Sequence, residues 1–229
     1  MKTTELNLLG EEKVTFQQIR INITKRNIKN VFCNNNHRSL SYTLSQKPYK
    51  KVKAFLGNKY FDKEALPLGK FISNLANDGN EDYRFFLNKY GHHSFCEFTI
   101  AEYLNKKGLY CFIVDNQVKY VGRCTDTFNK RINYGYGKIH PKNCFIDGQA
   151  TNCHINHLIN FCVGQVSIGI YDMTNKSDEA IKLLERLIIE NNRLEWNIQL
   201  QNKHLGDFPP PGLRLAQRIL GPKCVKLSA

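Results

Sequence analysis

The stretch from Gly108 to Gly122, GLYCFIVDNQVKYVG, leaves the chain few choices. Two runs rich in aromatic and β-branched residues, Leu109 to Val114 and Gln117 to Val121, flank the polar pair Asp115 and Asn116. That pattern predicts two short strands closed by a tight turn. A β-hairpin of this kind carries Tyr110 and Tyr120 on neighbouring strands and can set two phenol hydroxyls side by side. Half-buried sheet tyrosines would satisfy the same pattern, although fold stability alone does not ask for the pairing.

Downstream of the hairpin, the residue pattern predicts helices around one more strand. Thr125, Asp126 and Thr127 are good N-cap residues ahead of a short helix through Asn133, which carries Arg131 just behind the hairpin. The segment YGYGKIHPKNCFIDGQA, with its glycines and proline, predicts a long surface loop. Thr151 then caps a helix over NCHINHLINFCV, and VSIGIYD reads as a strand joining the hairpin in a three-stranded sheet. A last helix starts at Ser177-Asp178-Glu179, a capped and acidic first turn. On it Ala180, Ile181, Leu184, Leu187 and Ile188 share one arc, opposite Glu179, Lys182, Arg186 and Glu190. Glu185 falls at the edge of the apolar arc, between Ile181, Ile188 and Ile189. A carboxylate there is costly without a positive partner, so the position calls for a metal ion, or for a lysine or arginine.

Gly-Leu-Tyr at 108–110, nine intervening residues, and Tyr-Val-Gly at 120–122 resemble the double motif of the GIY-YIG nuclease superfamily. Arg131 follows Gly122 by nine residues, Glu185 lies in a long helix further on, and Asn197 follows that glutamate by twelve, in the order the family uses. The resemblance covers about 108–200 and implies an α/β fold: a small three-stranded antiparallel central sheet flanked by helices. It also implies a metal-dependent endonuclease. Glu185 would hold magnesium, with manganese able to substitute, and Arg131 would contact the scissile phosphate. Tyr110 would activate water with Tyr120 sharing or tuning the site, the order of the two tyrosines being open, and Asn197 would donate a hydrogen bond that fixes the phosphate or the glutamate region. The family often has a His or Tyr one turn after the arginine; here that position is Gly135, and Tyr134 is the nearest substitute, with Tyr136 and His140 as alternatives.

Charge divides the chain as this reading requires. Lys and Arg number 18 against 10 Asp and Glu over 1–107, 10 against 9 over 108–200, and 5 against 1 over 201–229. A nearly neutral nuclease region would thus borrow its hold on a polyanion from basic extensions: an N-terminal recognition region, 1–107, and a C-terminal arm, 201–229. In the first, Lys25 and Arg26 cluster beside 14–16 and 21–23, which read as short strands or a helix start. Lys50, Lys51 and Lys53 surround Tyr49, a mixture suited to phosphate contact and base packing, or to a solvated face. Two helices come next, LGKFISNLAN after Pro67 and NEDYRFFLNKYG ending on Gly91. Lys119, Lys130, Lys138 and Lys142 would add phosphate contacts around the cleft, or serve as ordinary surface lysines. In the arm, Pro209 to Pro211 predict an extended stretch, and LRLAQRIL a short helix with Arg214 and Arg218 that clamps DNA or a second subunit.

Several classes are set aside. There is no run of about 18 apolar residues to span a membrane. The N-terminus lacks the apolar core of an export signal. The eight irregularly spaced cysteines read as reduced thiols of a cytoplasmic protein, with Cys111 and Cys162 in the core. Cys33 with His37, His92-His93 with Cys96, and Cys153-His154 with His157 do not make paired zinc knuckles, and no nucleotide-binding loop is present. The resemblance is greatest to Type II restriction endonucleases, compact enzymes that cut both strands of double-stranded DNA as homodimers. A homing or mobile-element enzyme, a repair incision nuclease, and a DNA-binding protein on an inactive nuclease fold remain the alternatives.

Overall fold

Residues 2–8 and 11–197 are described in a computed structural model of the chain. In chain order the strands are β1 (Thr3–Asn7), β2 (Lys13–Arg20), β3 (Asn22–Ile28), β4 (Phe95–Thr99), β5 (Gly108–Val114), β6 (Gln117–Cys124) and β7 (Val166–Asp172). The α-helices are α1 (Leu40–Ser45), α2 (Lys50–Leu56), α3 (Leu68–Asn77), α4 (Ala150–Phe161) and α5 (Asp178–Asn191). The chain forms two compact units from interleaved segments. One takes the residues up to Ile21, Ile100–Arg131 and those from Cys162 on; the other takes Asn22–Thr99 and Ile132–Phe161. Residues 1–107 therefore contribute to both. None of the helices in the described residues is long and apolar enough to cross a membrane.

The first unit is built on an antiparallel sheet of five strands, in the order β1-β2-β7-β5-β6. The expected three-stranded sheet is corrected here: β7 offers its second edge to β2, with Gln17 opposite Ile170, and β1 pairs with β2 in turn. In β2 the alternation that buries Val14 and Phe16 is legible. TTELN in β1 buries only Leu6 and owes its strand conformation to pairing with β2. The hairpin forms where expected. Asp115 and Asn116 have φ of 47° and 66°, the left-handed pair that a two-residue hairpin turn demands and that these side chains tolerate.

The alternation of strands β5 and β6 sorts their side chains onto two faces. Leu109, Cys111, Ile113 and Val121 join Val14 and Phe16 in a core with Ile181, Leu184, Leu187 and Ile188 of α5. Tyr110, Phe112 and Tyr120 point to the other face, where Ile168 and Ile170 are also buried. Helix α5 begins as its sequence indicates, the Ser177 hydroxyl accepting from the amide of Ala180 at 3.2 Å. Cys111 lies in the core as expected, whereas Cys162 is only half-buried.

The second unit pairs β3 with β4 and packs α1 to α4 around Phe32, Leu40, Phe71, Ile72, Phe86 and Phe145. Arg38, Tyr49 and Asp147 form a closed polar set inside it: Arg38 donates to both carboxylate oxygens at 2.9 and 3.1 Å, and the Tyr49 hydroxyl donates to the same carboxylate at 2.6 Å. Burial pushes the Tyr49 phenol well above its ordinary range, and the hydrogen bond to Asp147 adds to this. Buried Asn156 donates to the carbonyls of Cys96 and Tyr136 and accepts from the Cys96 amide, tying α4 to β4.

Three expectations are revised in this unit. NEDYRFFLNKYG makes only a 3-10 turn, Glu81–Phe86, because Leu87 becomes extended to bridge Phe145. Gly91 is required by close approach rather than as a helix cap, since a Cβ there would meet the backbone of Cys144. The segment expected as a surface loop after Asn133 instead continues a π-helical stretch, Asn129–Tyr136, and buries Tyr136, Cys144 and Phe145 fully. The arm at 201–229, with Pro209 to Pro211, Arg214 and Arg218, lies outside the described residues.

Candidate active site

Tyr110 and Tyr120 are brought together by register. The pairing sets Tyr110 opposite Gly122 and Phe112 opposite Tyr120, with a bulge at Lys119 that keeps Tyr120 on the Tyr110 face. The two rings lie 6.2 Å apart at 35°. Gly122 makes the arrangement possible: a Cβ at this position would run into the Tyr110 hydroxyl and the Tyr120 ring. Phe112 and Phe128 pack edge-on against Tyr110, holding its ring.

Arg131 joins this pair. It sits in the first turn of the π-helical stretch, its amide bonded to the Thr127 carbonyl at 3.0 Å, and its Nε donates to the Tyr110 hydroxyl at 3.0 Å. The phenol oxygen thus lies against a guanidinium on a helical distortion of the kind frequent at functional sites.

Glu185 is held on the other face of the sheet. It is 8 % exposed and forms an ion pair with Arg123, the residue after Gly122, which projects to the α5 side as Val121 does. Burial raises the Glu185 carboxyl above its ordinary value, while the charge and hydrogen bond of Arg123, and more weakly the charge of Arg131, oppose the rise. Arg123 was not singled out from the sequence; its signal is strand alternation, which turns position 123 toward the helix that carries an edge-placed glutamate.

Comparison with family models, curated proteins and solved structures gave no match.

Asn197 acts on the strand rather than on the glutamate. Its side-chain amide donates to the Val121 carbonyl at 2.8 Å and its oxygen accepts from the Val121 amide at 2.9 Å. With the Trp196 amide on the Lys119 carbonyl at 2.9 Å, it closes the open edge of β6 beside Gly122. Tyr134 belongs to the second unit and is 67 % exposed.

The basic candidates divide in two. Lys25 pairs with Glu97 at 2.8 Å, Lys130 with Asp126 at 2.9 Å, and Arg26 donates to the carbonyls of Ile159 and Asn160 at the end of α4, at 3.0 and 2.5 Å. These three serve internal contacts. Lys50, Lys51, Lys53, Lys138 and Lys142 are exposed. Among the described residues, no cluster of three or more His, Cys, Asp or Glu side chains could hold a metal.

Proposed function

We propose that this chain is a metal-dependent DNA endonuclease of the GIY-YIG kind, acting as a site-specific restriction enzyme on double-stranded DNA. The observation that carries the reading is the Arg131–Tyr110 hydrogen bond beside Tyr120; Glu185, buried against Arg123 on the α5 face, is the carboxylate the reading adds. Phosphodiester hydrolysis needs an oxygen that takes a proton from water and positive charge for the growing phosphoryl charge. Tyr110 would supply the first as its phenolate, the form that the adjacent Arg131 guanidinium stabilises, and would become the neutral phenol on taking the proton from water. Arg131 would also supply the second, a guanidinium's forked donors suiting a phosphate. Tyr120, its ring 6.2 Å from that of Tyr110, would share or tune the site.

A single buried carboxylate suits magnesium, which keeps most of its waters and binds through one or two carboxylates. Glu185 is the residue that would hold it, and Arg123 must release the carboxylate. The ion, when bound, neutralises charge on the phosphate and leaving oxygen. Asn197 keeps β6 in place. Cutting both strands with one such site per chain requires two copies, so a homodimer is the simple solution. The Arg123–Glu185 ion pair favours a second reading, a DNA-binding protein on an inactive nuclease fold, because it satisfies the carboxylate without metal.

Relaxation of supercoiled plasmid separates the two. Wild-type protein should nick or linearise it with magnesium or manganese and not with chelator, and Glu185→Ala and Arg131→Ala should each lower the rate at least about 100-fold while still binding DNA. Plasmid left intact by the wild type with either metal would favour the second reading.

A further inference from the structure

In the second unit, Phe55 on α2 and Phe85 in the 3-10 turn Glu81–Phe86 lie with ring centroids 4.2 Å apart at 47°, yet are 63 % and 44 % exposed. Two large rings that touch each other and still face solvent are an interaction feature rather than a core feature. Their surroundings select the partner. Lys47, Lys50, Lys51 and Lys53 are exposed and form no ion pair with any described residue. Lys51 lies four residues before Phe55 and so shares its helix face. The acidic residues of the Phe85 turn are already neutralised, Glu81 by Arg84 at 2.5 Å and Asp82 by Lys59 at 2.6 Å. Uncompensated lysines are depleted from protein–protein interface centres. Lysines flanking exposed aromatic rings are how proteins hold a phosphate backbone while stacking on or wedging between bases.

We infer that Phe55 and Phe85 form a wedge that stacks against DNA bases while the lysines of α2 hold the adjoining phosphates. The inference rests on DNA being the partner proposed above, and it assigns the contact that unstacks or reads the bases. Because phenylalanine offers no hydrogen bond, recognition here would depend on how readily a base step opens.

The test uses the full chain in chelator, a mixed-sequence duplex and its single strand. Phe55→Ala combined with Phe85→Ala should weaken binding about tenfold or more with an unchanged melting temperature, since neither ring is in the core. Phe55→Trp should keep wild-type affinity, and the emission it adds should be quenched by bound DNA. Tighter binding to the single strand would identify bases already unpaired as the target, and tighter binding to duplex a step opened by the wedge. Wild-type affinity in the double alanine variant, or unquenched Phe55→Trp emission at saturating DNA, would overturn the wedge. Magnesium-dependent cutting by wild-type protein, read in parallel, keeps the claims apart: cutting with unaltered alanine-variant binding sinks the wedge alone, and lost binding without any cutting sinks the nuclease alone.

Discussion

Arg123 on β6 and Glu185 on α5 form an ion pair across the sheet–helix interface, one residue beyond the glycine that accommodates Tyr110. Burial raises the Glu185 carboxyl above 4.5, and Arg123 is the main opposing influence. Cleavage that needs the carboxylate should therefore fail on acidification at a pH above the ordinary glutamate value. Arg123→Gln should move that acid limb higher still. The stability sign is the reverse: a raised carboxyl binds its proton more readily in the folded chain, so Glu185 weakens the fold as pH rises through its value. Glu185→Gln should remove that slope from chemical denaturation measured across pH.

Gly122→Ala should damage stability and activity together. The added methyl meets the Tyr110 hydroxyl and the Tyr120 ring, and overpacking of this kind costs about 1–3 kcal/mol. Displacement of the phenol from Arg131 should lower cleavage by about 100-fold. Thermal unfolding with a plasmid assay reads both, and an alanine variant equal to wild type in each would show that the tyrosines need no such space.

Asn197→Ala should cost about 2 kcal/mol, because it strips both partners from the Val121 backbone at a closed sheet edge. Asn197→Asp should not restore it, since a carboxylate cannot donate to the Val121 carbonyl. Denaturant titration measures the loss. A variant with full stability and lost cleavage would instead give Asn197 a direct part in the chemistry.

His93 makes the second unit sensitive to acid. One ring nitrogen of His93 and one of His157 share a hydrogen bond at 2.8 Å, and burial, helped by His157 and His92, pushes His93 down from 6.5 to about 4. The unfolded chain takes up the proton first, so stability should fall as pH drops from about 6.5 towards about 4. His93→Gln should flatten that fall when melting is followed by circular dichroism.

The parts of this fold that were legible in sequence are those written in local pattern. Val166–Asp172, the Ser177-capped α5 and the turn at Asp115–Asn116 each carry their own signal. The parts that were not legible depend on distant partners. TTELN is a strand because β2 lies beside it; Glu81–Phe86 stops short because Leu87 pairs with Phe145; and 134–150 is anchored because it buries Tyr136, Cys144 and Phe145. The site obeys the same rule. The resemblance to a nuclease family singled out Tyr110, Tyr120 and Arg131, whereas Arg123 against Glu185 and Asn197 against Val121 are tertiary pairings that only assembly of the sheet reveals.

The most direct measurement is incubation of purified protein with a long unmethylated DNA of known sequence, with magnesium or with chelator, and then sequencing of the ends. Discrete fragments that require magnesium and share one short palindrome are the expected result, and they should vanish in Arg131→Ala. DNA left uncut with magnesium and with manganese would contradict the nuclease itself, and diffuse nicking or one long asymmetric site would contradict its assignment to restriction.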